Sequence, residues 1–110
     1  MKSVLVTVIA FIAGAMFLNV SPAMATDAGA GAQVFSANCA ACHIGGGNVI
    51  NAAKTLKQDA LVANGKDTAD AIVTQVTNGY GAMPAFGGRL TPEQIENVAA
   101  YVLSQAEKGW

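Results

Sequence analysis

The stretch Cys39-Ala40-Ala41-Cys42-His43 decides the fold of this 110-residue chain. On a helix, residues at positions i, i+3 and i+4 share one face, so the two thiols and the imidazole point the same way. Thiols in this spacing can form thioether bonds to the vinyl groups of a haem, while the imidazole binds its iron. In an exported chain this pattern indicates one covalent c-type haem, held by Cys39 and Cys42, with His43 as an axial ligand.

Three other interpretations of the two cysteines were weighed. A disulfide between Cys39 and Cys42 is chemically possible in an oxidising compartment. A thioredoxin-like site is disfavoured because such a motif normally follows a strand, and none is predicted before Cys39. A zinc site needs a fourth ligand, and the chain contains no further Cys or His. Haem attachment uses all three residues and needs no further Cys or His, so it is the favoured interpretation.

The beginning of the chain predicts a secretory signal at residues 1–25. Lys2 precedes a 15-residue apolar run at 4–18, and the small residues Ala23-Met24-Ala25 form a cleavage site. The run falls short of the roughly 20 residues of a membrane span, although an uncleaved anchor is the alternative. We expect cleavage after Ala25, with residues 26–110 as one domain that has no stable membrane insertion.

The charge of the processed chain excludes one class of partner. Residues 26–110 contain 5 basic and 7 acidic residues, a formal charge of −2, which argues against binding nucleic acid through a basic surface. A chain of this size buries a modest core. We therefore expect the cofactor to supply much of the core, surrounded by a pocket of apolar residues: Phe35, Leu56, Leu61, Val76 and Phe86.

The hydrophobic pattern predicts an all-α fold. A first helix should begin after the N-cap Asp27 and run toward Cys42, before three glycines at 45–47 interrupt the chain. A short helix is expected at 58–63. The next helix, capped by Asp67 or Thr68, should end at Asn78-Gly79.

The last helix has the most specific start. Thr91-Pro92-Glu93-Gln94 combines Thr at the N-cap, Pro at the first position and Gln at the third, a capping box. An apolar stripe follows at helical spacing, formed by Ile95, Val98, Ala99, Val102 and Ala106.

Met83 is the candidate for the sixth iron position, because it is the only Met in residues 26–110. It lies in a Gly-rich loop at 78–88, and Pro84 should hold it extended. A thioether ligand favours Fe(II) and raises the reduction potential. With both axial positions filled, the iron has no open site, so the expected activity is one-electron transfer and not enzymatic catalysis.

Together these segments resemble class I c-type cytochromes, and more narrowly the cytochrome c6 family of cyanobacteria and algal plastids. The resemblance rests on the motif at 39–43, the segment at 78–90 and the segment at 98–110. It implies a cytochrome c domain of about four helices around one haem. It also implies a carrier of photosynthetic electron transport in the thylakoid lumen, moving electrons from the cytochrome b6f complex to photosystem I.

The resemblance assigns further residues. In the family, a Gly and an aromatic on the first helix cross an aliphatic and an aromatic residue on the last, matching Gly31 and Phe35 with Val98 and Tyr101. Arg89 matches an Arg associated with docking on photosystem I, although an exposed loop Arg or one that neutralises a haem propionate would look the same. Solvated surface is expected for three lysines: Lys54, Lys57 and Lys66.

Several alternatives stay open at this point. The carrier could be periplasmic and donate electrons to a terminal oxidase, or the protein could be a haem enzyme or sensor with an open sixth site. In many mitochondrial relatives of this class, the carbonyl of a Pro downstream of the motif accepts the Nδ1–H bond of the ligand His. This chain has no Pro between His43 and Met83, so a different backbone carbonyl, near Asn48, has to accept the His43 Nδ1–H bond.

Overall fold

The computed structural model describes residues 26–110, so the predicted signal at 1–25 lies outside the described residues. Five helices and one 3-10 turn follow one another along the chain. They are α1 (Ala28–Asn38), α2 (Ala40–His43), a 3-10 turn (Ile44–Gly46), α3 (Gln58–Ala63), α4 (Ala69–Asn78) and α5 (Pro92–Lys108).

The all-α prediction is confirmed. Within residues 26–110 the only extended pairing is an isolated bridge between Tyr80 and Met83, and no strand forms. In the same part of the chain, no helix combines the length and apolarity that crossing a membrane requires.

The first helix departs from the prediction, because it does not continue to Cys42. Asp27 is its N-cap and accepts from the Gly29 and Ala30 amides, but α1 ends at Asn38. Cys39 has φ −115° and ψ −30°, and a separate turn, α2, carries the rest of the motif. Asn38 explains the break, since its side-chain Nδ2 donates to the Val34 carbonyl at 3.0 Å and competes with the helical backbone bond.

The other helix boundaries follow the predicted signals. Helix α3 spans the predicted residues, and Thr68, not Asp67, caps α4 by accepting from the Ala71 amide at 3.1 Å. The capping box of α5 is complete: Thr91 Oγ1 accepts from Gln94 N at 3.1 Å, and Gln94 Oε1 accepts from Thr91 N at 2.9 Å. Residues 91–94 therefore satisfy the backbone donors at the start of α5 with their own side chains.

The predicted crossing of the first and last helices is the centre of the fold. A Cβ on Gly31 would overlap the backbone carbonyl of Asn97, so only glycine allows this approach of α1 to α5. Beside it the Phe35 and Tyr101 rings pack with centroids 5.3 Å apart. The buried Asn97 side chain accepts from the Asp27 amide at 2.9 Å, which ties the start of α1 to α5 across 70 residues.

Candidate haem site

A cleft of about 740 Å³ opens beside the crossing and brings four of the predicted site residues together. Cys39, Cys42, His43 and Met83 all line it. Its volume lies within the range of about 300–1,000 Å³ typical of small-molecule and cofactor sites. The motif turn and the loop after α4 therefore meet at one cavity, although 40 residues separate His43 from Met83.

The walls of the cleft are mainly apolar. All five residues expected to form the pocket line it, and three of them, Phe35, Leu61 and Phe86, are no more than 5% exposed. Helix α5 contributes Val98 and Val102 to the same wall. A planar apolar group placed here would be shielded from water on the side of the core.

The backbone near the motif orients His43. Its Nδ1 lies 2.8 Å from the Gly47 carbonyl oxygen. A carbonyl only accepts, so Nδ1 carries the proton and Nε2 keeps a free lone pair for a metal. The sequence placed this acceptor near Asn48, and the structure assigns it to the preceding residue.

A tight turn after α4 places Met83. Tyr80 and Met83 exchange two backbone hydrogen bonds, of 2.9 and 3.0 Å, around Gly81 and Ala82. Further along, the Phe86 amide donates to the Val76 carbonyl at 2.9 Å and fastens the loop to α4. The half-buried thioether is thus held by local backbone pairing and not by a helical face.

Sequence reasoning missed one polar contact in the cleft. Gln75 Nε2 donates to Met83 Sδ at 3.7 Å, a weak hydrogen bond to sulfur. Gln75 lies on α4, one residue before the buried Val76, and lines the cleft. The sequence carries a partial signal: Gln75 is a polar residue beside the apolar stripe of α4.

The two motif thiols differ in their environments. Cys39 is half-buried, and burial raises the pKa of its thiol to about 11. Cys42 is exposed and also lines the cleft. A thiol with a raised pKa is a poor thiolate nucleophile, which disfavours a redox-active disulfide centred on Cys39.

Two of the three lysines depart from the expectation, whereas Arg89 is exposed, as its docking and loop interpretations require. Arg89 is exposed and outside the cleft lining, with its guanidinium 4.7 Å from the Phe86 ring centroid. Lys54 and Lys66, expected to be only solvated surface, line the cleft, and Lys54 lies 4.9 Å from the Tyr80 ring centroid. These two lysines, and not Arg89, can offer positive charge to a carboxylate bound in the cleft.

The donor set fits a haem. Within residues 26–110, no group of three or more His, Cys, Asp or Glu side chains is arranged to hold a metal ion. An iron held here must therefore bring most of its ligands with it, as a porphyrin does. The chain supplies what remains: two thiols for covalent attachment, one imidazole and one thioether.

Comparisons with known proteins agree with this geometry. Residues 26–102 match the family described as cytochrome c oxidase, cbb3-type, subunit III. A cytochrome c6 of Leptolyngbya boryana is 70% identical over 84 residues, covering 76% of this chain and 99% of the relative. A cytochrome c6 of Microcystis aeruginosa is 72% identical over 80 residues, covering 73% and 99%.

Solved structures show the same relationship. Cytochrome c6 from the diatom Phaeodactylum tricornutum superposes with a TM-score of 0.73 at 60% identity, covering 76% of this chain and 99% of that structure. Cytochrome c6C from Synechococcus gives a TM-score of 0.72 at 44% identity, covering 74% and 99%. The fold is thus that of class I cytochromes c, and the protein carries one covalently bound c-type haem with its iron. The chain belongs to the cytochrome c6 family.

Proposed function

We propose that this c-type cytochrome, an electron carrier by family, is a one-electron shuttle whose iron is bound on both sides by the chain. Cys39 and Cys42 attach the haem, and His43 and Met83 are the axial ligands. When bound, the haem supplies an Fe(II)/Fe(III) couple that takes up or releases one electron. One observation carries the proposal: the only His and the only Met of residues 26–110 line the same cleft.

The chain's own residues suit this task. Gly47 keeps the proton of His43 on Nδ1, which leaves Nε2 for the iron. Gln75 and the 80–83 turn hold the Met83 thioether in the cleft. With His43 and Met83 holding the iron, no position would remain for oxygen or a substrate. This supports a carrier over a haem enzyme or sensor.

Absorbance spectroscopy tests the ligand assignment. The absorbance spectrum of the ferric wild-type protein should show, at its red edge, the weak band that reports sulfur–iron ligation. The reduced protein should not bind carbon monoxide. Met83→Ala should lose the band, lower the reduction potential and gain carbon monoxide binding. Native wild-type protein that binds carbon monoxide would establish the open-site alternative instead.

The proposed circuit runs from the cytochrome b6f complex to photosystem I in the thylakoid lumen. The family resemblance supports this placement, as does the predicted signal at 1–25 with cleavage after Ala25. The formal charge of −2, with two haem propionates added, favours weak, transient and salt-dependent docking. If the protein instead donated its electrons to a terminal oxidase, that circuit would replace the proposed one.

Arg89 provides the test of the docking surface. It is exposed and outside the cleft, so Arg89→Glu should slow electron delivery to photosystem I while leaving the spectrum and the reduction potential unchanged. Lys57→Glu is the matched control, since Lys57 is also exposed and carries the same charge. Flash kinetics at two salt concentrations measure the effect. Equal rates for wild type and Arg89→Glu would remove Arg89 from the docking surface.

A further inference from the structure

Trp110 lies outside the haem cleft but is bonded to one of its loops. It follows the last turn of α5, and its indole Nε1 donates to the Leu56 carbonyl at 2.7 Å. The ring packs against Phe35 and Tyr101, with centroids 5.5 and 6.0 Å away. A hydrogen bond across 54 residues thus joins the end of α5 to the loop between the motif and α3.

The same indole covers the backbone beside the motif. A Cβ on Gly46 would lie 2.5 Å from two indole atoms, so the ring rests directly on this buried glycine. The Gly46 carbonyl accepts from the Leu56 amide at 2.7 Å. Trp110 therefore holds Gly46 twice, by direct contact and through Leu56.

Gly46 is joined by one peptide bond to the partner of His43. The Gly47 carbonyl is the acceptor of the His43 Nδ1–H bond at 2.8 Å. A continuous path runs from Trp110 Nε1 through Leu56 and Gly46 to Gly47, and from there to the imidazole. Each link is a hydrogen bond of 2.8 Å or less or a covalent bond.

Trp110 is itself fixed. The Gly109 amide donates to the Ala106 carbonyl at 3.2 Å and the Trp110 amide to Gln105 at 2.8 Å, the two bonds of a Schellman motif. Trp110 has φ +60°, which is unfavourable for a residue with a side chain and requires support from its surroundings. The indole is thus anchored on α5 at a set position over Gly46.

We propose that Trp110 is a positioning residue for His43: it fixes the Gly47 carbonyl that orients the imidazole and sets its basicity. The inference rests on the proposed function, in which His43 binds the iron. A strong Nδ1–H bond to a carbonyl makes the imidazole a more basic ligand, which stabilises Fe(III). Weakening the bond should therefore raise the reduction potential.

Two substitutions separate the contributions of the indole. Trp110→Ala removes both the ring over Gly46 and the Nε1–H donor, whereas Trp110→Phe keeps a ring and removes only the donor. We expect Trp110→Ala to raise the ratio of reduced to oxidised protein at a fixed applied potential roughly threefold. At about 59 mV per tenfold change in this ratio, the reduction potential would rise by about 28 mV. Trp110→Phe should give a smaller shift in the same direction.

The control is Tyr101→Leu. Tyr101 belongs to the same aromatic cluster, does not line the cleft and makes no hydrogen bond to the loop. This variant should lose stability without a comparable change in potential. Trp110 also lies outside the cleft lining, so its removal does not open the cofactor directly to water.

A second measurement reports on His43 alone. In the reduced, diamagnetic holoprotein, NMR should show the His43 Nδ1 proton exchanging with solvent at least tenfold faster in Trp110→Ala than in wild type. Unchanged exchange and potential in both Trp110 variants would reduce Trp110 to a packing residue. If Trp110→Ala fails to fold, Trp110→Phe decides. Carbon monoxide binding by native wild type would overturn the proposed function separately, because it reports on the sixth iron position, which wild type and the Trp110 variants share. The Trp110 comparison would then be made on the carbon monoxide complex, which is diamagnetic and keeps His43.

Discussion

The helix crossing and the cleft loops of this cytochrome differ in how many of their apolar side chains are buried. The crossing region, α1 and α5, contributes seven of the eleven buried apolar residues within 26–110, whereas the loops at 44–57 and 79–90 contribute only Phe86. Four large apolar side chains of the loops are more than 60% exposed: Ile44, Val49, Ile50 and Tyr80. Two of these, Ile50 and Tyr80, line the cleft, where a haem would cover them, whereas the crossing residues are already buried by one another and form one wall of the cleft.

The largest test of this difference removes covalent haem attachment. Cys39→Ala/Cys42→Ala protein, exported without haem, should be largely unfolded, because the cleft would then be an apolar cavity of about 740 Å³. Far-ultraviolet circular dichroism and thermal melting measure the loss. The single variant Cys42→Ala, which keeps one attachment point, is the control. A native-like helical spectrum with a cooperative melt in the double variant would show that the crossing suffices for folding.

The second test breaks the crossing and leaves the cleft residues unchanged. In Gly31→Ala, the new Cβ would overlap a backbone carbonyl that cannot rotate away, so α1 must move from α5. We expect a loss of about 3 kcal/mol in the free energy of unfolding, measured by denaturant titration of the holoprotein.

Gly88→Ala is the matched control for Gly31→Ala. A Cβ at Gly88 meets nothing within 4 Å, so this change should stay within about 0.5 kcal/mol of wild type. Equal stabilities of the two variants would mean that the helices do not need to approach so closely.

The third test concerns the start of α5, which is not part of the cleft lining. Thr91→Ala removes the side-chain acceptor for the Gln94 amide and should cost about 1 kcal/mol of unfolding free energy. The reduction potential should stay at the wild-type value, which chemical denaturation and voltammetry on one sample can check. A changed potential would show that the start of α5 and the cleft are coupled.

The smallest expected effect comes from a substitution in the cleft that leaves the helix crossing unchanged. Gln75→Leu removes the amide dipole whose positive end faces Met83 Sδ, so Fe(III) should become slightly easier to form. Loss of a weak hydrogen bond of about 0.5 kcal/mol should lower the reduction potential by about 20 mV, at about 59 mV per tenfold. Gln94→Leu, on the first turn of α5 and outside the cleft, is the control. A potential unchanged beyond that of the control would mean that Gln75 does not act on the thioether.

The sequence predicted the parts that depend on local chemistry. The capping box at 91–94 fixes α5, and the spacing of the motif brings its thiols and imidazole to one cleft. It did not predict the end of α1 at Asn38, where a side chain competes for a backbone carbonyl. Nor did it predict the contact of Gln75 with Met83.

The Trp110 bond to Leu56 was missed for a different reason. It joins residues 54 apart, and neither belongs to a motif that would mark it. Such contacts follow from how the helices cross, and periodicity along the chain carries no information about them. Lys54 and Lys66 were missed because, in the sequence, a lysine in a loop that lines a cleft cannot be distinguished from one on the ordinary surface.

The bond between Asp27 and Asn97, together with the close approach at Gly31, has a consequence for biogenesis. These contacts join the first described helix to the last, so the protein cannot reach its stable form until nearly all of it is available. Without α5, the polypeptide would lack these contacts and the core that α5 completes. Such a chain is suited to be exported across a membrane in an unfolded state and to fold around its haem afterwards.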